Sequence, residues 1–277
     1  MHKSSLIFKS AALVVWTLLL AVPNRGHAAP ITFSVGGDAT TASIQTTVDN
    51  FRNAVGNPNN GNNAGTTGGR REINWDGGGP PVVAPAPGGS PFNVFLNNRG
   101  AQFTTPGTGF QQAVPGTDFG NATYSTTFGV FSPNRDFSPI GSNITEGRFF
   151  IPGTNGAVAA SVSAFGAIFT DVDLANTTKI EYFDSLGNLL TTVVVPVGTT
   201  ANASFSFAGV VFNAGEQIAR VRITTGNSAL GPSDGAGVDV VIMDDFIFGE
   251  PIRLPEPGAA LLLLVGLLPL LRFARRR

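Results

Sequence analysis

The sequence predicts a single all-β domain folded as a β-sandwich, and three observations lead to that prediction. From residue 92 onward, short runs of β-branched and aromatic residues alternate with turns rich in Gly, Pro and Asn, at intervals of about 10 to 15 residues. Helical periodicity is confined to one short segment outside the two chain ends. About 220 residues lie between those ends, which is enough to bury one sizeable core.

The domain is predicted to span residues 29–250. Its first part contains a strand, a helix and a long irregular stretch. Residues 31–35 alternate between apolar and polar and predict the first strand. Ile44, Val48, Phe51 and Val55 recur at helical spacing, so residues 43–55 predict a helix with Ser43 as its N-cap. Residues 57–91 are rich in Asn, Gly and Pro and predict a loop-rich insertion, interrupted by a polar-aromatic island at 71–77.

The remaining strands are predicted from apolar runs, each of which is flanked by turn-forming residues. These runs are residues 92–96, 128–131, 164–169, 179–183, 189–195, 204–212, 218–224 and 238–248. Residues 184–188 lie between two of them and are typical of a hairpin turn. The last run is apolar at successive positions, which predicts a central strand that is buried on both faces.

Composition excludes several classes of function. The only histidines are His2 and His27, both near the N-terminus, and there is no cysteine. The body of the chain therefore has no His-dependent triad, no Cys nucleophile, no disulfide and no zinc site built on Cys or His. Between Arg25 and Arg272 the chain has 10 basic and 18 acidic residues, a formal charge of −8. This acidic balance argues against a nucleic-acid partner and favours a solvated acidic surface or cation binding.

The N-terminus has the three parts of a secretory signal peptide. Lys3 and Lys9 form a basic region, and residues 11–22 form an apolar segment of suitable length. Small residues follow and predict cleavage by signal peptidase between Ala28 and Ala29, which removes residues 1–28.

The C-terminal segment 251–277 has its own three-part organisation. A Pro-Glu-Pro tripeptide precedes an apolar run at 259–271, and a basic stop follows. As a helix, these 13 residues would rise about 20 Å, against a hydrocarbon core of about 30 Å, and Pro269 interrupts them. The run is therefore short for a permanent transmembrane helix and favours a transient signal with a cytoplasmic C-terminus. The residues of the motif and the stop are Pro255, Glu256, Pro257, Arg272, Arg275, Arg276 and Arg277.

These three parts, in this order, resemble the PEP-CTERM sorting domain of Gram-negative bacteria. The resemblance implies transient insertion into the inner membrane, processing by an exosortase, and an association with exopolysaccharide or biofilm. Several short stretches of the body, at 166–173, 178–184, 221–224 and 244–246, are similar to the jelly-roll-type ectodomain common among PEP-CTERM cargo.

Two aspartate pairs are candidate Ca²⁺ ligands. Asp171 and Asp173 lie two residues apart at a strand end, where both carboxylates could reach one ion. Asp244 and Asp245 lie within an apolar run, so at least one of them should point inward, where an unpaired charge is costly. The alternative is a hydrogen-bonded turn carboxylate or a salt bridge to Arg220 or Arg222.

The island at 71–77 carries the densest polar-aromatic cluster. Trp75 could stack on a sugar ring, and Glu72 and Asp76 could act as a glycosidase pair. The alternative is that Trp75 closes one end of the sandwich while charged neighbours hold the loop. The sequence as a whole favours a non-enzymatic, exported surface or matrix protein, with a carbohydrate-binding module and a carboxylate-dependent hydrolase as the other hypotheses. No cofactor is expected, except possible Ca²⁺.

Overall fold

The chain folds into two antiparallel sheets packed face to face, which confirms the predicted all-β sandwich. The computed structural model describes residues 29–76, 86–115, 119–235 and 237–254. The predicted signal peptide at residues 1–28 and the predicted sorting motif, apolar run and basic stop at residues 255–277 lie outside the described residues.

The described part of the chain contains two helices and fifteen strands. In chain order they are β1 (Ile31–Gly36), α1 (Ala42–Val55), β2 (Arg70–Ile73), β3 (Ala86–Gly88), β4 (Ala101–Thr104), β5 (Gly109–Ala113), α2 (Tyr124–Thr127), β6 (Asp136–Ile140), β7 (Ile144–Phe150), β8 (Ala159–Ser161), β9 (Ala164–Thr170), β10 (Lys179–Phe183), β11 (Leu189–Val194), β12 (Phe205–Val211), β13 (Arg220–Thr224), β14 (Ile242–Gly249) and β15 (Ile252–Arg253).

The larger sheet has eight strands in the order β1-β12-β9-β14-β6-β5-β3, and β2 also pairs with β14. The smaller sheet has seven strands in the order β11-β10-β13-β7-β8-β15, and β4 also pairs with β7. Along one side, β14 pairs with β9; along the other, it meets β6 near its start and β2 near its end. Strand β14 is therefore the element around which the larger sheet is organised.

The three central strands β9, β12 and β14 are buried along their whole length, as predicted for the last apolar run. One face of the larger sheet packs on the smaller sheet, and α1 covers part of the other. Phe51 of α1 lies against Gly166 and Gly209, which are cross-strand partners. A Cβ atom at either glycine would lie about 2.9 Å from the Phe51 ring, so the two glycines let α1 approach the sheet closely.

Helix α1 agrees with the predicted spacing, since Ile44, Val48 and Phe51 are its buried residues. The predicted N-cap is wrong, because the helix begins at Ala42. The Ser43 hydroxyl instead donates to the carbonyl of Thr40 at 2.7 Å and accepts the amide of Asp38 at 3.1 Å. Ser43 thus fastens the turn that leads into the helix.

Some predicted strands are not strands. Residues 94–99 form turns, and residues 128–131 are irregular. Conversely, the stretch predicted as a loop-rich insertion contains β2 and β3. Within the described ranges, no helix is both long and apolar enough to cross a membrane.

Candidate metal centre

Asp171 lies at the base of an acidic cluster at one end of β9. Its backbone is held at φ 68°, a left-handed conformation that costs a non-glycine residue of order 1 to 3 kcal/mol. The Asp171 amide donates to the carbonyl of Ser204 at 2.9 Å, and its Oδ1 accepts the amide of Ala203 at 3.1 Å. The residue is 0% exposed, and its Oδ2 is buried without a hydrogen-bond partner. A buried carboxylate oxygen without a donor is costly, so this atom is suited to a cation.

Two further carboxyls converge on Asp171. One carboxylate oxygen from each of Asp171, Asp173 and Asp234 lies within 4.8 Å of the other two. Ca²⁺ binds oxygen at about 2.3 to 2.6 Å, so two ligands of one ion can be separated by up to about 5 Å. The three oxygens therefore fit a single Ca²⁺ ion. In the described part of the chain, this is the only group of three carboxyls with that spacing.

Neighbouring hydrogen bonds hold the cluster in place. Asp239 accepts the amide of Asp173 through Oδ1 at 3.1 Å and the Thr177 hydroxyl through Oδ2. Asp234 uses Oδ1 to accept the amide of Val240 at 2.8 Å, which fixes the loop that leads into β14. Thus Asp239 positions Asp173, while Asp234 keeps one oxygen for another ligand.

The charges of the cluster are uncompensated. Burial, together with the negative charges of Asp173, Asp234 and Asp239, raises the pKa of Asp171 to about 8. Burial and the charges of Asp234 and Asp239 raise the pKa of Asp173 to about 6. In the described part of the chain, no lysine or arginine forms an ion pair with these carboxyls.

The predicted alternative of a salt bridge to Arg220 or Arg222 is wrong. Both guanidinium groups bind Glu146 instead, at 3.1 Å and 2.6 Å. The Asp173 and Asp234 side chains are half-buried and line an open pocket of about 440 Å³ together with loop 197–201. A cation could enter from this side, and water could supply the ligands that the three carboxylates do not provide.

The second predicted pair, Asp244 and Asp245, belongs to a different cluster. Both residues are buried, as predicted for at least one of them. Asp244 Oδ2 accepts the amides of Phe131 and Ser132 at 2.6 Å and 3.2 Å, and Asp245 accepts the Ser132 hydroxyl at 2.6 Å. Burial, followed by the negative charges of Asp136 and Asp245, raises the pKa of Asp244, and the Asp171 cluster does not contribute. The four predicted aspartates therefore do not form one site.

Trp75 lies in the core between the sheets, where it cannot serve as a sugar platform. The indole is 0% exposed and stacks on Phe137, with ring centroids 3.7 Å apart and an interplanar angle of 3°. Phe95 and Phe246 meet it edge-on, and its Nε1–H donates to the carbonyl of Asp244 at 2.8 Å. This geometry corresponds to the alternative in which Trp75 fills the sandwich.

Glu72 and Asp76 are occupied by other contacts. Arg52 and Arg70 bind Glu72, with the shortest distances at 2.9 Å and 2.6 Å. Asp76 Oδ1 accepts the backbone amides of Asn134 and Arg135, the latter at 3.0 Å. Glu72 is thus neutralised by two guanidinium groups, and Asp76 Oδ1 is occupied by backbone amides, whereas a glycosidase pair needs carboxyls that are available to the substrate.

Sequence reasoning missed Asp234. It lies 63 residues after Asp171, inside a Gly- and Pro-rich loop whose composition indicates only a turn. Its role depends on β9 pairing with β14, which brings the loop before β14 to the end of β9. Comparison with family models, with curated proteins and with solved structures gave no match for this chain.

Proposed function

We propose that this chain is an exported, non-enzymatic surface or matrix protein whose β-sandwich is stabilised by Ca²⁺ bound to Asp171, Asp173 and Asp234. One observation carries the metal part of the proposal. Three carboxylates from two separate segments converge within 4.8 Å, and the most buried of them has an oxygen without a partner. Ca²⁺ would neutralise the cluster and join the end of β9 to the loop before β14.

The sorting part of the proposal rests on the two chain ends. The signal-peptide pattern at residues 1–28 supports export through signal peptidase, and the Pro255-Glu256-Pro257 segment supports handling by an exosortase. An exported protein meets a medium in which millimolar Ca²⁺ is common, and low-affinity sites are typical of extracellular modules. Contact with exopolysaccharide, or with other surface proteins, is the role that this delivery favours.

Thermal unfolding of the mature protein, with EDTA or with Ca²⁺, tests the metal site. At a free Ca²⁺ concentration 100 times the Kd, binding to the folded state alone stabilises it by about 2.7 kcal/mol. For a domain of this size, that is about 5 to 10 °C in Tm. Asp234→Asn retains the oxygen that accepts the Val240 amide and should lose most of this gain.

A matched control is Asp49→Asn. Asp49 is an exposed residue of α1, and its substitution removes one negative charge outside the cluster. The full Ca²⁺-dependent increase in Tm should therefore remain. A wild-type Tm that is equal in EDTA and in Ca²⁺ contradicts the metal site.

The sorting proposal has its own test, which is the intact mass of the protein from cells that produce it. We expect a mature chain that begins at Ala29 and lacks the C-terminal apolar run and arginines. A mature form that retains Arg277 contradicts processing by an exosortase, and it leaves the metal site unaffected.

A further inference from the structure

The outer face of the smaller sheet carries two arginines directly opposite each other. Arg148 of β7 and Arg220 of β13 are cross-strand partners in an antiparallel pair. Their sequence neighbours Phe149 and Val221 are buried in the core between the sheets, so both arginine side chains point to the other, outer face. Like charges directly opposite each other destabilise a pair of strands. This arrangement therefore favours an anion on the outer side of β7 and β13.

The neighbouring row of the same face has alternating charges. Glu146 of β7 lies opposite Arg222 of β13, and Arg222 lies opposite Glu181 of β10. Glu146 Oε1 accepts hydrogen bonds from Arg222 at 2.6 Å and from Arg220 at 3.1 Å. Lys179 forms an ion pair with Glu181 at 3.4 Å. Both acids of this row are thus already bound by other cations.

Arg148 and Arg220 retain hydrogen-bond donors for a ligand. Arg148 is exposed, and within the described ranges it forms no hydrogen bond or ion pair, so all of its N–H groups are available. Arg220 uses only Nη1 to bind Glu146. Its guanidinium lies over the ring of Phe183, with Cζ 3.8 Å from the ring centroid. This stacking orients the guanidinium, so that less side-chain entropy is lost when it binds an anion.

An open pocket of about 570 Å³ lies over these two arginines. Arg222 also lines it, and the hairpin turn at residues 184–187 forms one wall. Asp184 of this turn accepts the amides of Leu186 and Asn188 at 2.9 and 2.8 Å, so its carboxylate is occupied. The volume is within the range of about 300 to 1,000 Å³ that is typical of ligand sites. We call this site, formed by the three arginines and the turn, the Arg148 pocket.

We propose that the Arg148 pocket binds an acidic polysaccharide through the carboxylate of a uronic-acid sugar. This ligand class rests on the proposed function, in which the exported protein contacts exopolysaccharide. A carboxylate has two coplanar oxygens that match the fork of a guanidinium, so Arg148 can bind it with two parallel hydrogen bonds while Arg220 donates a further one.

The surroundings of the pocket suit a charged sugar. The exposed Leu186 offers an apolar contact to a sugar ring, and Ser185 offers a hydroxyl. The chain between Arg25 and Arg272 has a formal charge of −8, so most of its surface repels a polyanion. Binding would therefore be confined to this basic face. An acidic peptide has the same carboxylates without the sugar, and it is the competing ligand that the experiment must separate.

Calorimetric titration of the mature protein with hyaluronate tests the pocket, since this polymer alternates neutral and carboxylated sugars. The wild type should bind hyaluronate and should not bind dextran, which is neutral. Arg148→Gln should weaken binding at least about 10-fold, because it removes a charge-assisted hydrogen-bond pair. Its Tm should not change, because Arg148 has no partner among the described residues.

The matched control is Lys179→Gln, which removes one positive charge from the same face outside the pocket. It should change the affinity by less than about 2-fold, because a more distant exposed charge is screened by salt. Equal losses in Arg148→Gln and Lys179→Gln would mean that the charge of the whole face attracts the polymer, and they overturn the pocket. Wild-type protein that does not bind hyaluronate overturns it as well. Polyglutamate bound as tightly as hyaluronate overturns the sugar in favour of an acidic peptide.

These outcomes are separate from those of the proposed function. A protein with a Ca²⁺-dependent Tm and a processed C-terminus that does not bind hyaluronate loses only the Arg148 pocket. A protein that binds hyaluronate through Arg148 but retains Arg277, or has the same Tm in EDTA and in Ca²⁺, loses the corresponding part of the proposed function and keeps the pocket.

Discussion

Arg71 allows the sharpest stability prediction, because it is a fully buried arginine with a complete set of partners. Its side chain is 0% exposed and forms a two-bond ion pair with Glu250, with both distances at 2.8 Å. It also donates to the carbonyls of Gly61, Asn63 and Asn98, at 2.8, 2.6 and 2.9 Å. Arg71 thus connects β2 to the end of β14 and to two loops.

Arg71→Met keeps the length and apolar volume of the side chain but removes these donors. Glu250 is then left as a buried carboxylate whose remaining side-chain donor is Asn60, at 2.7 Å. Loss of one partner of a buried pair costs about 3 to 5 kcal/mol. For about 220 residues, each kcal/mol corresponds to about 2 to 4 °C, so the Tm should fall by about 6 to 20 °C.

The assay is equilibrium unfolding in urea, with Arg222→Met as the matched control. Arg222 binds Glu146 at 2.6 Å, but its side chain is 43% exposed, so its removal should cost less than about 1 kcal/mol. The double variant Arg71→Met with Glu250→Gln should be less destabilised than the sum of the two single variants, because no charge is left unpaired. An Arg71→Met cost no greater than that of Arg222→Met would refute the assignment of Arg71 as a structural anchor.

Two further predictions concern the core and the pH dependence. Trp75→Ala should lower the free energy of unfolding in urea by about 3 to 5 kcal/mol, because it empties the centre of the aromatic core. The control Val94→Ala, at a 63% exposed position, should change it by less than about 0.5 kcal/mol. The pKa values of Asp171 and Asp173 are raised to about 8 and about 6. Without a cation, the folded state therefore holds protons that the unfolded state releases. The free energy of unfolding should consequently fall as the pH rises from about 4 to 8. Ca²⁺ displaces those protons, so the Tm gain from Ca²⁺ over EDTA should be larger at about pH 8 than at about pH 5.5; a gain that is constant with pH counts against the cluster.

Strands with an apolar or alternating pattern were predictable, because burial alone explains their sequences. Strands β9, β10, β12 and β13 lie where such runs predict them. Strand β2 was not predictable, since its Arg-Arg-Glu sequence is typical of an exposed loop. It enters the sheet only because Glu250, Arg52 and loop carbonyls from distant segments satisfy its charges.

Apolar content also predicted burial more reliably than conformation. The sequence predicts a strand at residues 92–96. Phe92, Phe95 and Leu96 are buried, but Phe95 and Leu96 reach the core from a turn, and only Phe92 pairs with another segment, through a bridge to Phe103. A turn can present aromatic side chains at irregular spacing, so a short apolar run does not distinguish it from a strand.

The candidate site was predictable only in its local part. The spacing of Asp171 and Asp173 is visible in the sequence, whereas Asp234 reaches them only because β9 pairs with β14. Asp244 lies in a different cluster from Asp171, although the sequence predicts Ca²⁺ binding for both. The charged neighbours of Trp75 in the sequence suggest an exposed ring that could bind a sugar, but the ring is buried in the core.

A crystal structure of the mature protein grown with Ca²⁺, with anomalous diffraction recorded, is the most direct test of the Ca²⁺ site. We expect an anomalous peak at about 2.3 to 2.6 Å from carboxylate oxygens of Asp171, Asp173 and Asp234, with water completing the coordination on the pocket side. The absence of a peak among these three residues, at a Ca²⁺ concentration well above the millimolar range, would contradict it.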